Sequence, residues 1–425
     1  MQKRSVWQQA FGLKDTVVEG VAFDEVTEAV VIAVRPVAQA RNRCGRCGRR
    51  SPRYDRGEGR RRWRALDLGT TKVFLEADAP RVRCRAHGPT VAGVPWARHG
   101  AGHSRDFDDH AAWLAVHVSK SAVVELLRVA WRTVGAIVAR VGTDIDARVD
   151  RLAGLRRIGI DEISYKRRHR YLTVVVDHDS GRLVWAAPGN NESTLHRFFD
   201  ALGDERAGLL THVSADMAHW IAAVVSVRAP HAIRCADPFH VVAWAIDALD
   251  VERRRAWNDA AGRRTIDMTR RGKIRGAVGP ARELKRARYA LWKNPESLTA
   301  RQHHQLEWIA KTDPRLWRAY LLKEGLRYAF HVKGDEGKHA LDAWIGWARR
   351  SRIPAFVELQ RRVVAHRTAI DATMDSGLSN GLVESTNTKI RLLTRVAYGF
   401  HRPEPLIALA MLALGGHCPP LPGRN

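Results

Sequence analysis

Two sets of residues in this chain have the types and spacing to bind metal. Cys44 and Cys47 stand two residues apart in RCGRCGRR, and Cys84 and His87 repeat that spacing in VRCRAHGP. Glycine follows each pair, so each can close a tight knuckle that turns both side chains toward one ion. Three thiolates and an imidazole complete a tetrahedral structural Zn²⁺ site. The 36 residues between the pairs exceed the usual spacing of a zinc ribbon. However, three of only five cysteines fall in this frame, which favours one zinc site over unrelated thiols. Cys235 and Cys418 read as core or tail residues without a role.

The second set is acidic. In RIGIDEISYK, Asp161 interrupts a run of Ile158, Ile160 and Ile163 that otherwise reads as a buried strand. An ionised carboxylate is costly to bury there without a cation. Asp216 ends a second strand-like run, GLLTHVSAD, and Glu384 lies in a helical pattern, SNGLVESTNTKIRLL. Hard oxygen donors of this kind suit Mg²⁺ or Mn²⁺. Two such ions about 4 Å apart can activate a water or 3′-hydroxyl and stabilise a leaving oxygen in phosphodiester displacement. Glu162, next along the strand, is expected to face the other way. A rival for the second position, Asp237 in IRCADPFH, follows a further strand; strand spacing puts it about 10 Å from Asp161. Asp followed by Pro is also an ordinary helix start, so Asp237 is expected either to serve nearby DNA or simply to cap a helix beginning at Pro238.

The elements that must position these groups can be read from periodicity. Residues 1–40 alternate, with AVVIAVRPV as a strand, and LDLGTTKVFLEADAPRVRC reads as a hairpin turning near Ala79-Pro80. Three short amphipathic helices follow from Ser104, the last two separated by a break at Arg128-Val129-Ala130. That pair suits a helix-turn-helix whose recognition helix begins with Trp131, Arg132 and Thr133. From 157 come three strands in quick succession, then helix, strand, helix, strand and helix, the order of an RNase H-like domain. Residues 253–375 read as helical. In the last helix Val383, Ile390, Leu393 and Ala397 form the inward face, and Glu384, Asn387, Thr388, Arg391 and Arg395 the other.

The fold expected is therefore α+β and multidomain: an N-terminal domain over 1–100 with a zinc ribbon at about 41–97, and a helix-turn-helix over 101–150. An RNase H-like α/β catalytic core with a mixed sheet begins at 151–252, a helical insertion spans 253–375, and 376–425 completes the catalytic domain with its third acid. Net charge is +26, and between Arg41 and Arg64 eleven arginines face only Asp55 and Glu58. Such an excess points to a polyanion, with DNA or RNA favoured over a membrane. Arg46, Arg49 and Arg50 of the ribbon, and Asn387, Lys389, Arg391 and Arg395 beside the third acid, are expected to join the recognition helix in contacting it. The N-terminal residues lack an apolar signal core, LIALAMLAL is too short to span a bilayer, and the low, odd cysteine count fits a reducing cytoplasm.

CGRCG, CRAHG, GIDEISYKRRHRYLTVVVD, SADMAHW, ADPFHVV, AWIGWARRSRIPAF and SNGLVESTNTKIRLLTRVAYGF together resemble transposases of the bacterial ISL3 insertion-sequence family. The resemblance runs from the ribbon to Phe400 and implies a zinc ribbon, a helix-turn-helix and a DDE catalytic domain of RNase H-like fold with a helical insertion. Its triad falls on Asp161, Asp216 and Glu384; His87 stands where many relatives have cysteine. Implied partners are double-stranded DNA, at the terminal inverted repeats and at a target, and a second subunit to pair two ends. Implied cofactors are one Zn²⁺ and two Mg²⁺ or Mn²⁺ per active site, and the implied place is the bacterial nucleoid. The alternatives are a nuclease or resolvase of the same fold without strand transfer, and a domesticated DNA-binding regulator, whose mark would be a lost acid.

Overall fold

The alternating runs of the N-terminal region pair into two separate sheets, seen in a computed structural model that describes residues 6–166, 170–271 and 280–424. After a short helix α1 (Val6–Ala10), strands β1 (Thr16–Asp24), β2 (Ala29–Pro36), β4 (Arg60–Leu68) and β5 (Thr71–Asp78) form a sheet in the order β1-β2-β5-β4. Strands β3 (Arg53–Asp55), β6 (Arg81–Cys84) and β7 (Gly88–Val91) form the other, in the order β3-β6-β7. The hairpin expected near Ala79-Pro80 turns instead at Gly69-Thr70, where Leu68 pairs with Thr71 and Gly69 takes φ +60°. Ala79-Pro80 is where the chain leaves one sheet for the other. The long gap between the two cysteine knuckles thus holds a hairpin belonging to the neighbouring sheet. That sheet buries Ile32, Trp63, Val73 and Leu75, with Trp96 edge-on to Trp63 at 5.6 Å between ring centroids.

Three helices follow: α2 (Arg105–His117), α3 (Lys120–Leu127) and α4 (Trp131–Asp146). The hydroxyls of Ser104 and Ser119 accept the Phe107 and Ala122 N–H groups and start the first two. Arg128, at φ 52°, ends α3 in the left-handed conformation, so the break lies where the sequence marks it. Val134, Ile137, Val138, Val141 and Ile145 recur at helical spacing along α4 and are buried against α2 and α3. Arg98, itself almost fully buried, reaches Asp109 at 2.6 Å and Asp144 at 2.8 Å, while Arg140 grips the buried Asp108 with two bonds of 2.8 Å.

A five-stranded sheet begins at residue 157. Its strands β8 (Arg157–Lys166), β9 (Arg170–Asp177), β10 (Leu183–Pro188), β11 (His212–Ala215) and β12 (Ile233–Ala236) lie in the order β10-β9-β8-β11-β12. The first three are antiparallel, and β11 is parallel to both β8 and β12, as the element order leads one to expect. Between them run α5 (Glu192–Leu202), α6 (Asp204–Ala207) and α7 (His219–Arg228). Phe198, Phe199 and Val224 from these helices bury one face of the sheet over Ile158, Ile160 and Val213.

Helix α8 (Pro238–Arg271) leaves the end of β12 and runs without interruption across residue 253, where a domain boundary was expected. It packs with α9 (Pro280–Arg286), α10 (Arg288–Trp292), α11 (Ala300–Thr312), α12 (Pro314–Val332), α13 (Gly334–Arg350), α14 (Pro354–Ala365) and α15 (Arg367–Ser376). The buried Lys323 ammonium donates to the Leu291 carbonyl at 3.1 Å, and the Trp344 indole N–H to the Leu322 carbonyl at 2.7 Å. Helices α16 (Gly381–Val396) and α17 (Pro403–Leu414) close the chain.

The chain divides into two compact units, Arg151–Arg391 and Met1–Asp150 with Leu392–Asn425. The last segment, expected to complete the catalytic domain, packs instead with the helix-turn-helix: Leu409 and Leu412 of α17 enter the core under α4. Its apolar face supplies the reason, since α4 alone leaves part of its buried stripe uncovered.

Helix α16 lies so close to β8 that a Cβ on Gly159 would meet Val383 Cγ2 at 2.4 Å, His178 Nε2 at 2.9 Å and the Ser214 hydroxyl at 3.2 Å. Gly159→Ala should therefore push α16 off the sheet, lower stability by about 1–3 kcal/mol and cripple activity, though no acid is touched. Thermal unfolding and a cleavage assay check this; an unchanged melting temperature would show that the packing yields freely.

Candidate active site and zinc cluster

The parallel ladder sets the site. Ala215 pairs with Ile160 on one side and with Ala236 on the other. Asp161, Asp216 and Asp237 each follow that rank by one residue, so the three aspartates stand abreast at one sheet edge on β8 and the ends of β11 and β12. Neighbouring strands are about 4.8 Å apart. Asp161 continues in β8, pairing with Val174 of β9, beyond the point where β11 stops.

Glu384 comes from the first turn of α16, half-buried, where a carboxylate is favoured by the helix dipole. Two asparagines fasten this helix to the strands. Asn380 is buried; its carbonyl oxygen accepts from the Ser214 hydroxyl at 2.5 Å and its amide donates to the Ile160 carbonyl at 3.4 Å. Asn387 is also buried, and its amide donates to Asp161 Oδ2 at 2.7 Å. Asp161 Oδ1 accepts the Glu162 N–H at 2.8 Å, and Glu162 itself takes the Asn190 amide at 3.2 Å.

The acids perturb one another. Burial, reinforced by Asp216 and Asp237, pushes the Asp161 carboxyl up to about 6. Burial also raises Asp237, with Asp216 adding to the shift, and raises Glu384, where Asp237 is the neighbouring acid that adds. His240, one turn into α8, opposes the rise at Asp161, Asp237 and Glu384. Desolvated carboxylates crowded in this way are what a hard divalent cation would relieve.

The zinc ligands gather more tightly. Among the described residues, Cys44, Cys47, Cys84 and His87 form the one group of metal-ligating side chains whose donor atoms all lie within 4.8 Å of one another. His87 Nδ1 is 3.6 Å from both Cys44 Sγ and Cys84 Sγ, and Cys47 Sγ is 3.7 Å from Cys84 Sγ. Tetrahedral zinc at ordinary bond lengths sets sulfur–sulfur distances of about 3.8 Å and sulfur–nitrogen distances of about 3.6 Å. Gly48 and Gly88 close the knuckles at φ +70° and +64°, a conformation that favours glycine. The Ala86 N–H and then the His87 side chain lower the Cys84 thiol to about 6, so thiolate is present at neutral pH.

Three family profiles match: residues 40–87 as the zinc finger of the IS204, IS1001, IS1096 and IS1165 transposases, 94–142 as the helix-turn-helix domain of transposase family ISL3, and 158–410 as the ISL3 transposase domain. The chain belongs to the ISL3 family of DDE transposases. It is 66% identical, over 97% of its length and 95% of the relative's, to the transposase of insertion sequence element IS1557 of Mycobacterium tuberculosis. It is 26% identical to that of IS1001 of Bordetella parapertussis, over 85% of this chain and 86% of the other. It is thus a DNA-binding enzyme that acts on DNA, with a zinc ribbon, and its family implies divalent-metal use. No helix among the described residues is long and apolar enough to cross a membrane.

In this transposase the expected DNA contacts divide. Arg46, Arg49 and Arg50 are exposed on the first knuckle, Arg132 is exposed at the start of α4, and Thr133 is half-buried. Trp131 is exposed too, with the Lys120 ammonium 4.6 Å from its ring centroid. Lys389, Arg391 and Arg395 face solvent, but Asn387 does not. It shares the buried side of α16 with Val383 and Ile390, and its amide is taken by Asp161, so it is a positioning residue rather than a free DNA contact. Asn380 went unremarked in the sequence as a site residue, although Asn before a helix is a recognised start signal; its side chain serves the strands instead.

Two outcomes follow. Metal analysis should find one zinc per chain, and Cys44→Ser with Cys84→Ser should remove it and unfold the ribbon; zinc retained in that variant would discount these ligands. Because burial raises Asp161, folding is penalised only where the carboxyl must ionise: the penalty is absent below about pH 4 and complete above about pH 6. Asp161→Asn should therefore outmelt the parent in magnesium-free buffer at pH 7.5, by on the order of 3 kcal/mol, and lose that advantage toward pH 4. A gap that does not change with pH would show that Asp161 is not desolvated.

Proposed function

We propose that this transposase binds the terminal inverted repeats of its own element through the ribbon and the helix-turn-helix, and cleaves and rejoins DNA strands at Asp161, Asp216 and Glu384. The observation that carries the reading is the rank of aspartates beyond one parallel ladder, faced by Glu384 from a helix pinned to the same strands. The carboxylates fit two Mg²⁺ or Mn²⁺ by donor type, and such ions activate a water or 3′-hydroxyl and stabilise the leaving oxygen of the phosphodiester. Asn387 keeps Asp161 turned toward the edge, and Asn380 fixes the height of α16 and hence of Glu384. Exposed Lys389, Arg391 and Arg395 would meet the phosphates on either side of the reacting bond.

Arg132, at the N-terminal end of α4, is positioned on its element as a base reader, whereas Arg46, Arg49 and Arg50 suit phosphate. Joining two ends requires two copies, so a homodimer or larger assembly would form on paired ends, with the helical insertion contacting an end or the partner subunit. All three acids are present, which argues against a domesticated regulator.

The full-length chain and DNA from the flanks of its gene test this. Terminal repeats there should be bound with an affinity that falls steeply with salt. Strand-transfer products should appear with Mg²⁺ or Mn²⁺, whereas a resolvase would give none. Asp216→Asn should abolish cleavage while leaving binding intact, and Arg132→Ala should relax sequence preference more than Arg49→Ala does. Cleavage surviving Asp216→Asn would remove this residue from the triad.

A further inference from the structure

Asp237 does more at this edge than cap a helix. Its Oδ1 accepts the Phe239 N–H at 3.2 Å and so starts α8, and the Asn380 backbone nearby favours its charged form. Its Oδ2 is buried and has no hydrogen-bond partner; the His240 imidazole Nε2 lies 3.6 Å away, beyond hydrogen-bonding reach. Asp237 as a whole is only 2% exposed. Leaving a carboxylate oxygen unpartnered at such depth is costly. A second buried oxygen beside the acids, Asn387 Oδ1, also has no partner. Asn387 holds Asp161 and stands three residues beyond Glu384 on α16. Two orphaned hard oxygens thus flank the rank of acids.

The expected separation of Asp237 from Asp161 also holds only along the sheet. Asp237 is in register with Asp216 through Ala236 and Ala215, and its charge is felt by Asp161 on one side and Glu384 on the other. Asp237 is thus the acid of the strand ends that acts on Glu384.

We propose that Asp237 is a fourth carboxylate of the divalent-metal site, donating Oδ2 to an ion on the Glu384 side while Oδ1 holds the helix. This rests on the reading of Asp161, Asp216 and Glu384 as metal ligands. A hard cation between Asp237 and Glu384 would satisfy the buried oxygen, and His240 would stand beside it at the mouth of the site, where its exposed side could meet a phosphate.

Titration of the zinc-loaded, full-length chain with Mn²⁺, followed by electron paramagnetic resonance, tests this. Asp237→Asn keeps an oxygen for the Phe239 N–H and removes a desolvated charge, so in metal-free buffer it should melt at or above the parent while Mn²⁺ binding weakens roughly tenfold or more. Asp237→Cys should shift preference from Mg²⁺ toward Cd²⁺, which a purely structural role would not do. If Asp237→Asn and Asp237→Cys bind metal like the parent while Asp161→Asn is impaired, Asp237 is a cap only and the triad stands. If Asp161→Asn and Asp216→Asn also bind like the parent, or the parent takes up no Mn²⁺, the triad reading itself fails and this proposal with it.

Discussion

Everything at the acidic edge of the large sheet depends on one ladder. A four-residue strand, β11, pairs in parallel with β8 and with β12, and the shared rank Ile160, Ala215 and Ala236 ends where the aspartates begin. Parallel neighbours bring like positions side by side, so three carboxylates that are far apart in sequence are forced abreast. A slip of one residue in either pairing would turn an aspartate to the other face of the sheet.

That arrangement is electrostatically unfavourable by itself, and the surrounding structure is built to hold it. Ile158, Ile160 and Val213 bury the strands beneath α5 and α7, so the edge cannot open to water without losing its core. On the other face, Gly159 admits Val383 at close range, and Asn380 ties α16 to β8 and β11. Glu384 is held by contacts made by its neighbours, which is why a glycine and an asparagine matter as much to its position as any acid.

The first unit solves a different problem. The ribbon buries little beyond Cys44, Val82 and Cys84, too small a core to hold a fold alone, and a four-ligand metal cluster takes its place. The helix-turn-helix has the opposite construction: an apolar stripe on α4 covered by α2, α3 and the distant α17, with Arg98 and Arg140 neutralising Asp108, Asp109 and Asp144 at its margin. The arginines on the knuckle and at the start of α4 are left facing solvent.

Much of this was legible in the sequence, because it rests on local rules. Paired cysteine and histidine spacing, the switch from alternating to helical period at Ser104 and back at 157, and an aspartate inside an isoleucine run each carry their meaning within a few residues. The order of strands in the large sheet followed from the order of elements. Tertiary structure decided what depends on packing between distant segments. It moved the hairpin turn to Gly69-Thr70, because β5 and β6 serve different sheets. It sent residues 392–425 to the helix-turn-helix, because α17 covers a stripe that α4 alone exposes. It buried Asn387, because only the approach of α16 to β8 sets which side of that helix faces Asp161. And it set Asp237 beside the other acids, because the parallel pairing of β12 with β11 brings Ala236 level with Ala215.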